Sequence, residues 1–291
     1  MFKKILKVTG IVIGVIILVA AAFYVKVYIS TENRINKQYS VEVQKLTIDP
    51  DSATLAYGER LITTKGCNEC HGADLSGKVF IDDPALGFLV AGNLTKGQGG
   101  LSADYNEDDW VLALKHGLRR DGKPLLFMPS HEYSLLSEGD MKAVIAYCMQ
   151  LPPIDNELPE STVGPLGRVL TDLGKLPLLP AEEIDHSRKL SRDVQPSVSV
   201  EYGKYLAVAC QGCHRPHMKG GDPVAPGLPV VADISSTGSP AKWTTEEFME
   251  TLRTGRTPEG KELDPKEMPW PMTKAYTDVE LQALHLYLKS I

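Results

Sequence analysis

Cysteine is scarce in this chain, with five in 291 residues. Four of them stand in close pairs, and a bridge across two intervening residues ties down very little chain, so a disulfide-stapled scaffold is not indicated. Basic residues are in deficit beyond the amino end. Residues 1–37 carry a net +5 and the remainder a net −11, together the −6 of the whole chain. That sign disfavours a nucleic-acid role. An acidic globule keeps itself soluble and steers toward a basic partner. There is no low-complexity tract, and strand-like and helix-like segments do not alternate. The second absence removes the βαβ setting in which a redox-active C-x-x-C pair of the thioredoxin type sits.

What is present is a duplicated pentapeptide. Cys67-Asn68-Glu69-Cys70-His71 and Cys210-Gln211-Gly212-Cys213-His214 both read C-x-x-C-H, the pattern of covalent c-type haem attachment. Two thiols within one turn of backbone can each form a thioether to the porphyrin edge. The histidine directly after the second thiol then lies under the ring, where its imidazole can bind iron. Zinc would account for paired thiols but not for a histidine at the same place after both. The expectation is two covalently attached c-type haems, held by Cys67, Cys70, Cys210 and Cys213, with His71 and His214 as proximal iron ligands.

One long hydrophobic run occurs, at the amino end. Eighteen uncharged residues, Val8 to Val25, lie between Lys7 and Lys26. As a helix they rise roughly 27 Å, close to the hydrocarbon thickness of a bilayer, and Lys26 can snorkel at the far interface. Ala20-Ala21-Ala22 offers a signal-peptide cleavage site. The run nevertheless continues through Phe23, Tyr24 and Val25, so the expectation is an uncleaved single-pass anchor. Lys3, Lys4 and Lys7 before it and Lys26, Arg34 and Lys37 after it leave the charge rule for orientation nearly balanced.

The rest of the chain reads twice. Tyr57-Gly58-Glu59-Arg60-Leu61 precedes the first motif and Tyr202-Gly203-Lys204-Tyr205-Leu206 the second. Asp109-Trp110 corresponds to Glu247-Phe248, Leu114-Lys115-His116-Gly117 to Leu252-Arg253-Thr254-Gly255, and Met128-Pro129 to Met268-Pro269. A final helix follows in both halves, opened by Ser137-Glu138-Gly139-Asp140 and Thr277-Asp278-Val279-Glu280, each resembling a capping box. Apolar residues Val144, Ile145, Tyr147 and Cys148, and Leu281, Leu284 and Leu288, then recur at helical spacing. Between the halves, residues 151–196 are rich in proline, with one short helical candidate at Leu166 to Leu173. This stretch reads as a semi-rigid strap and not as a third core.

A low-spin electron-transfer haem needs a sixth ligand. Met128 and Met268 occupy equivalent places, each 12 residues ahead of the cap acid, Asp140 or Glu280, and each before a proline that holds its loop extended. Thioether sulfur stabilises ferrous iron and raises the potential. Met272 is a rival in the second half, though Glu132 stands at the matching place in the first. His131 and His217 are alternative ligands without repeat partners; His116, His186 and His285 carry no motif. Cys148 stands in the apolar stripe of the first final helix, as a small buried hydrophobe.

On these motifs the chain resembles a membrane-anchored, di-haem member of the class I cytochrome c family over most of residues 50–150 and 198–291. The resemblance implies an all-α fold of two cytochrome c-like helical domains in tandem after a single transmembrane helix. The segments expected are an anchor and juxtamembrane stretch at 1–37, domain 1 at 38–151, a connector at 152–197 and domain 2 at 198–291. It also implies that a helix glycine packs on an aromatic of the final helix, Gly58 with Tyr147 and Gly203 with Tyr287. Asn93-Leu94-Thr95 resembles a haem-edge segment of related multi-haem cytochromes. Asp233-Ile234-Ser235 stands there in the second half as a less secure counterpart, and Ala209 replaces the Gly66 of the first. The function implied is electron transfer, not catalysis. It would run between redox partners such as a dehydrogenase, a quinol-oxidising complex, an oxidase or a soluble cytochrome, with the haem domains on the periplasmic side of a bacterial cytoplasmic membrane. A haem subunit of a periplasmic dehydrogenase complex is the alternative. A di-haem peroxidase is disfavoured, because both halves supply a methionine and no distal acid–base constellation is recognisable.

Overall fold

Helix boundaries follow side-chain caps at the repeated positions. The computed structural model describes residues 2–224 and 228–291. Its elements are α1 (Phe2–Ile35), α2 (Ser52–Thr64), α3 (Cys67–His71), β1 (Lys78–Asp83), β2 (Gly87–Ala91), α4 (Glu107–His116), α5 (Ser130–Tyr133), α6 (Glu138–Met149), β3 (Thr162–Val163), α7 (Pro165–Asp172), α8 (Val200–Leu206), α9 (Gln211–His214), α10 (Thr245–Thr254) and α11 (Asp278–Ser290). Carboxylate, amide or hydroxyl oxygens of Asp51, Asn106, Ser137, Ser199, Thr244 and Thr277 accept first-turn amides of α2, α4, α6, α8, α10 and α11. Each satisfies a donor that helix geometry leaves without an intrahelical partner. Gly117 and Gly255 end α4 and α10 in the left-handed region, at φ +65° and +73°, where a side chain would be strained.

Two compact units are formed, one from Met1–Lys45, Ser76–Ser134 and Pro153–Arg188, the other from Leu46–Leu75, Leu135–Pro152 and Lys189–Ile291. In the second unit, α2 crosses α6 and α8 crosses α11. A Cβ placed on Gly58 would lie 2.1 Å from the Ala143 carbonyl oxygen and 2.8 Å from the Tyr147 Cβ. On Gly203 it would lie 2.0 Å from the Ala283 oxygen and 2.7 Å from the Tyr287 Cβ. Both glycine–tyrosine pairings expected from the resemblance are therefore present. Only a residue without a side chain lets the backbones come so close. Around the second crossing, Leu206, Phe248, Leu252, Leu281, Leu284 and Leu288 are buried together. Full burial of each such side chain contributes about 1.5–3 kcal/mol.

In the first unit, the hairpin β1–β2 is extended by β3 from the proline-rich segment, giving a three-stranded antiparallel sheet in the order β1-β2-β3. The short helix expected at Leu166 to Leu173 is α7, from Pro165 to Asp172. The segment is more than a strap. Leu178 and Leu179 are buried with Leu89 of β2 in a small core of their own. The prolines do not prevent this, because Pro165 and Pro180 each stand in the first turn of a short helix, where no amide donor is missed.

Also in this unit, His116 at the end of α4 is fully buried. Its Nδ1 lies 3.0 Å from Nδ1 of His186, and the Lys115 Nζ lies 3.3 Å from its Nε2. Burial, then Lys115 and His186, hold the His116 imidazole down to about 4, and burial also lowers His186. Both rings are neutral when folded at pH 7 but gain protons in the unfolded chain near pH 6.5. The stability they contribute is complete above about pH 6.5 and is lost as pH falls toward 4. Thermal melts should therefore drop between pH 7 and 4.5. His116→Asn should flatten that drop by an amount on the order of 2 kcal/mol, and an unchanged pH profile would refute the assignment.

Candidate haem sites

After each motif histidine the chain makes the same turn. Gly72 and Arg215 directly follow the histidines with φ +85° and +66°, and four residues after each histidine come Leu75 and Met218 at φ +59° and +57°. The Gly72 amide donates to the Asn68 carbonyl at 3.1 Å and that of Arg215 to the Gln211 carbonyl at 2.9 Å. Leu75 and Met218 are then fully buried. Arg215 occupies with a side chain a conformation that glycine takes in the first half, a strained choice. Gly66, at φ +73°, caps α3 by breaking the chain between α2 and the first motif. In the second half α8 runs on through a 3-10 turn, Ala207–Cys210, directly into α9. No left-handed break is needed there, which is why alanine fits at 209.

The donor set suits a haem. His214 is buried, and its Nδ1 lies 2.8 Å from the Ala232 carbonyl oxygen. A carbonyl only accepts, so Nδ1 carries the proton and the Nε2 lone pair is left for a metal. Burial lowers the pKa of this imidazole, favouring the neutral, ligating form. Cys210 and Met268 both border the cluster of buried residues around α8 and α11. Cys67, Cys70 and His71 are half-buried and belong to the second unit; Met128 belongs to the first.

The two Met-Pro segments share one backbone geometry. Pro129 has φ −76° and ψ 51°, and Pro269 φ −76° and ψ 55°. The amides of Ser130 and Trp270 donate back to the Met128 and Met268 carbonyls, both at 2.7 Å. Each methionine thus opens an inverse γ-turn centred on its proline. Met272 sits elsewhere, its methyl 3.7 Å from where a Gly66 Cβ would be. His217 is exposed. His131 is half-buried, with a buried Nδ1 that no hydrogen-bond partner reaches. Cys148 is buried, and burial pushes its thiol well above the ordinary range, as befits an inert apolar position.

The loop after each motif also recurs more closely than the residues suggest. The Asn93 side-chain oxygen accepts from the Thr95 amide and hydroxyl at 2.9 and 2.8 Å; an Asp233 carboxylate oxygen accepts from Ser235 at 2.8 and 2.7 Å. The same local turn is built with an amide in one half and an acid in the other.

A polar arrangement escaped sequence reading altogether. In the second unit the Asp140 carboxylate accepts the Tyr57 hydroxyl at 2.7 Å and the Tyr205 hydroxyl at 2.6 Å. Glu280 accepts the Arg60 guanidinium at 2.7 and 3.0 Å and lies 3.3 Å from the Tyr202 hydroxyl. Tyr57 and Tyr202 are repeat equivalents, as are Arg60 and Tyr205, and Asp140 and Glu280. Each cap acid is therefore held by the tyrosine of its own repeat and by the 60/205 residue of the other. Burial and the neighbouring Asp140 charge push both Tyr57 and Tyr205 upward. The Tyr276 hydroxyl adds a further tie, to the Thr64 carbonyl at 3.4 Å.

Comparison with known proteins bears on the family and not on this polar network. The cytochrome c family profile matches residues 55–152 and 200–291. The fructose dehydrogenase cytochrome subunit of Gluconobacter japonicus is 25% identical over 277 residues, covering 87% of this chain and 56% of that protein. The cytochrome c subunit of the quinone alcohol dehydrogenase of Gluconobacter oxydans (strain 621H) is 25% identical over 281 residues, covering 84% and 56%. The gluconate 2-dehydrogenase cytochrome c subunit of Pantoea cypripedii is 32% identical over 104 residues, 34% of this chain and 23% of that one. The chain spans about half the length of the first two relatives. With matches over both repeats, the chain belongs to the cytochrome c family, as two haem-carrying domains in tandem.

Proposed function

We propose that this protein is a membrane-anchored, di-haem electron-transfer protein. Cys67 and Cys70 fasten one haem and Cys210 and Cys213 the other, with His71 and Met128, and His214 and Met268, as the axial pairs. When bound, haem supplies one-electron chemistry by cycling between ferric and ferrous iron. The observation that carries the ligand assignment is the repeated Met-Pro turn, with one geometry at Met128 and Met268. In this reading Ala232 fixes the tautomer of His214, Pro129 and Pro269 set the direction of the thioether arms, and the cluster around α8 and α11 excludes water. Met272 packs beside Gly66 and ligates nothing.

The test is a spectroelectrochemical titration of the full chain. It should count two haems with two midpoints, both showing the sulfur-to-iron band. Met128→Ala and Met268→Ala should each abolish one band and lower one midpoint, whereas Met272→Ala should leave both in place. Retention of both bands in Met268→Ala would refute that ligand.

Helix α1 supports anchoring. It is 34 residues long and exposes Ile11, Val15, Leu18 and their neighbours over the uncharged stretch, long enough to cross a bilayer. We place the haem domains on the periplasmic side of a bacterial cytoplasmic membrane, following the resemblance. A second reading is favoured by the relatives, which are named as cytochrome subunits of dehydrogenases. This chain would then accept electrons from a separate catalytic subunit. Copurification with a cofactor-bearing dehydrogenase from native membranes tests it, and isolation as a free carrier would count against it.

A further inference from the structure

The end of α1 does not hang free above the bilayer. Val27 and Thr31 are fully buried where α1 meets α7. The Lys26 ammonium lies 2.7 Å from Asp172, and Arg168 lies 2.6 Å from Glu32 with its guanidinium 4.5 Å from the centre of the Tyr28 ring. Arg34 reaches Glu182 at 2.6 Å. Residues 26 and 32 of α1 thus pair with 172 and 168 of α7, so the two helices run antiparallel. Lys26 to Glu32 is a rise of about 9 Å. Lys26 ends the uncharged stretch, which places Asp172 at the level of the bilayer boundary and Arg168 further out.

The residues after Asp172 therefore lie on the membrane side. There α7 is closed by a left-handed Gly174, φ +65°, and the Lys175 amide donates back to the Leu170 carbonyl at 2.7 Å. Leu173 is 57% exposed, a large apolar side chain held out at the tip of a turn. Gly174, Lys175 and Pro177 are exposed with it, and a Cβ on Gly174 would meet nothing within 4 Å. A leucine beside a lysine in such a turn matches the chemistry of the lipid interface, with acyl chain for one and phosphate for the other.

We propose that the turn Leu173–Pro177 is a second membrane contact, which seats Leu173 at the headgroup–acyl boundary and Lys175 on lipid phosphate. It fixes the tilt of the first unit against the bilayer surface. The inference rests on α1 being a membrane anchor, and the experiment separates the two. The full haem-loaded chain is placed in nanodiscs of phosphatidylcholine and phosphatidylglycerol, with a nitroxide on Leu173→Cys, Ile16→Cys or Glu160→Cys. Collision rates with oxygen, which concentrates in lipid, and with a water-soluble nickel chelate are read by spin resonance. Exposed Leu173 can be replaced without disturbing the core, and retention of both haem spectra checks this. The oxygen-to-nickel ratio at positions 16 and 173 should exceed that at 160 several-fold. A lipid-like ratio at 16 with a water-like one at 173 would overturn the contact and leave the anchor standing. A water-like ratio at 16 would overturn the anchor, and the contact with it.

Discussion

Gly203→Ala should cost roughly 3 kcal/mol of stability, and Gly203→Val should leave no folded second unit. The new Cβ would stand 2.0 Å from the Ala283 carbonyl oxygen. That obstacle is backbone and cannot rotate aside as a side-chain tip would. The only relief is to push α8 from α11, opening a gap along Leu206, Leu281, Leu284 and Leu288, all buried at that crossing. Lost contact and residual cavity then add to the strain. Gly58→Ala should behave alike, its Cβ falling 2.1 Å from the Ala143 oxygen. Gly92→Ala is the control, since nothing lies within 4 Å of its Cβ position, and it should stay within about 0.5 kcal/mol of the parent. Denaturation midpoints followed by circular dichroism decide the matter. A Gly203→Ala protein as stable as the control would mean that the helices do not cross this closely.

Arg60→Met should cost about 3 kcal/mol, because it strands a carboxylate. The Glu280 side chain is 4% exposed, and its partner Arg60 27%. Burial opposes the charge on Glu280, but the Arg60 fork and the Thr277 amide outweigh it and hold the carboxyl below its ordinary value near 4.5. A depressed carboxylate contributes stability that is present above that value and lost as pH falls through the folded one. The gap between parent and Arg60→Met should therefore be full at pH 7, narrow as the carboxyl takes up its proton in acid, and vanish only below the depressed folded value. Adding Glu280→Gln to Arg60→Met should recover much of the loss, and a double-mutant cycle isolates the coupling. Tyr205→Phe should cost less, about 1 kcal/mol, since Asp140 keeps the Tyr57 hydroxyl. Equal losses in the single and double Arg60 variants would show that the pair carries no coupling.

What the sequence made legible was local. Caps at Ser137 and Thr277 and the helix expected at Leu166 to Leu173, found from Pro165 to Asp172, rest on short spacings, whereas the glycine–tyrosine crossings followed only from the resemblance to the cytochrome c family. The Arg60–Glu280 fork was invisible, because its partners are 220 residues apart and a lone arginine beside Leu61 looks like any solvated charge. The sheet was missed because β1 is exposed at every residue but Ile81, with an irregularity between Val79 and Ile81, so no clean alternation marks it. The contact of buried His116 with half-buried His186 has no counterpart in the second repeat, where Thr254 follows Arg253. Asp233 looked like a departure from Asn93, yet either side-chain oxygen closes the same turn.

The crossed donors at the two cap acids bear on how this polypeptide can be dismantled. Severing it within residues 152–197 would send Tyr205 and Glu280 away with one fragment and Arg60 and Asp140 with the other. Neither fragment could then neutralise or hydrogen-bond its buried acid as the intact chain does. The duplicated halves should therefore depend on one another in folding, and split expression is expected to yield soluble product only when both pieces are made together.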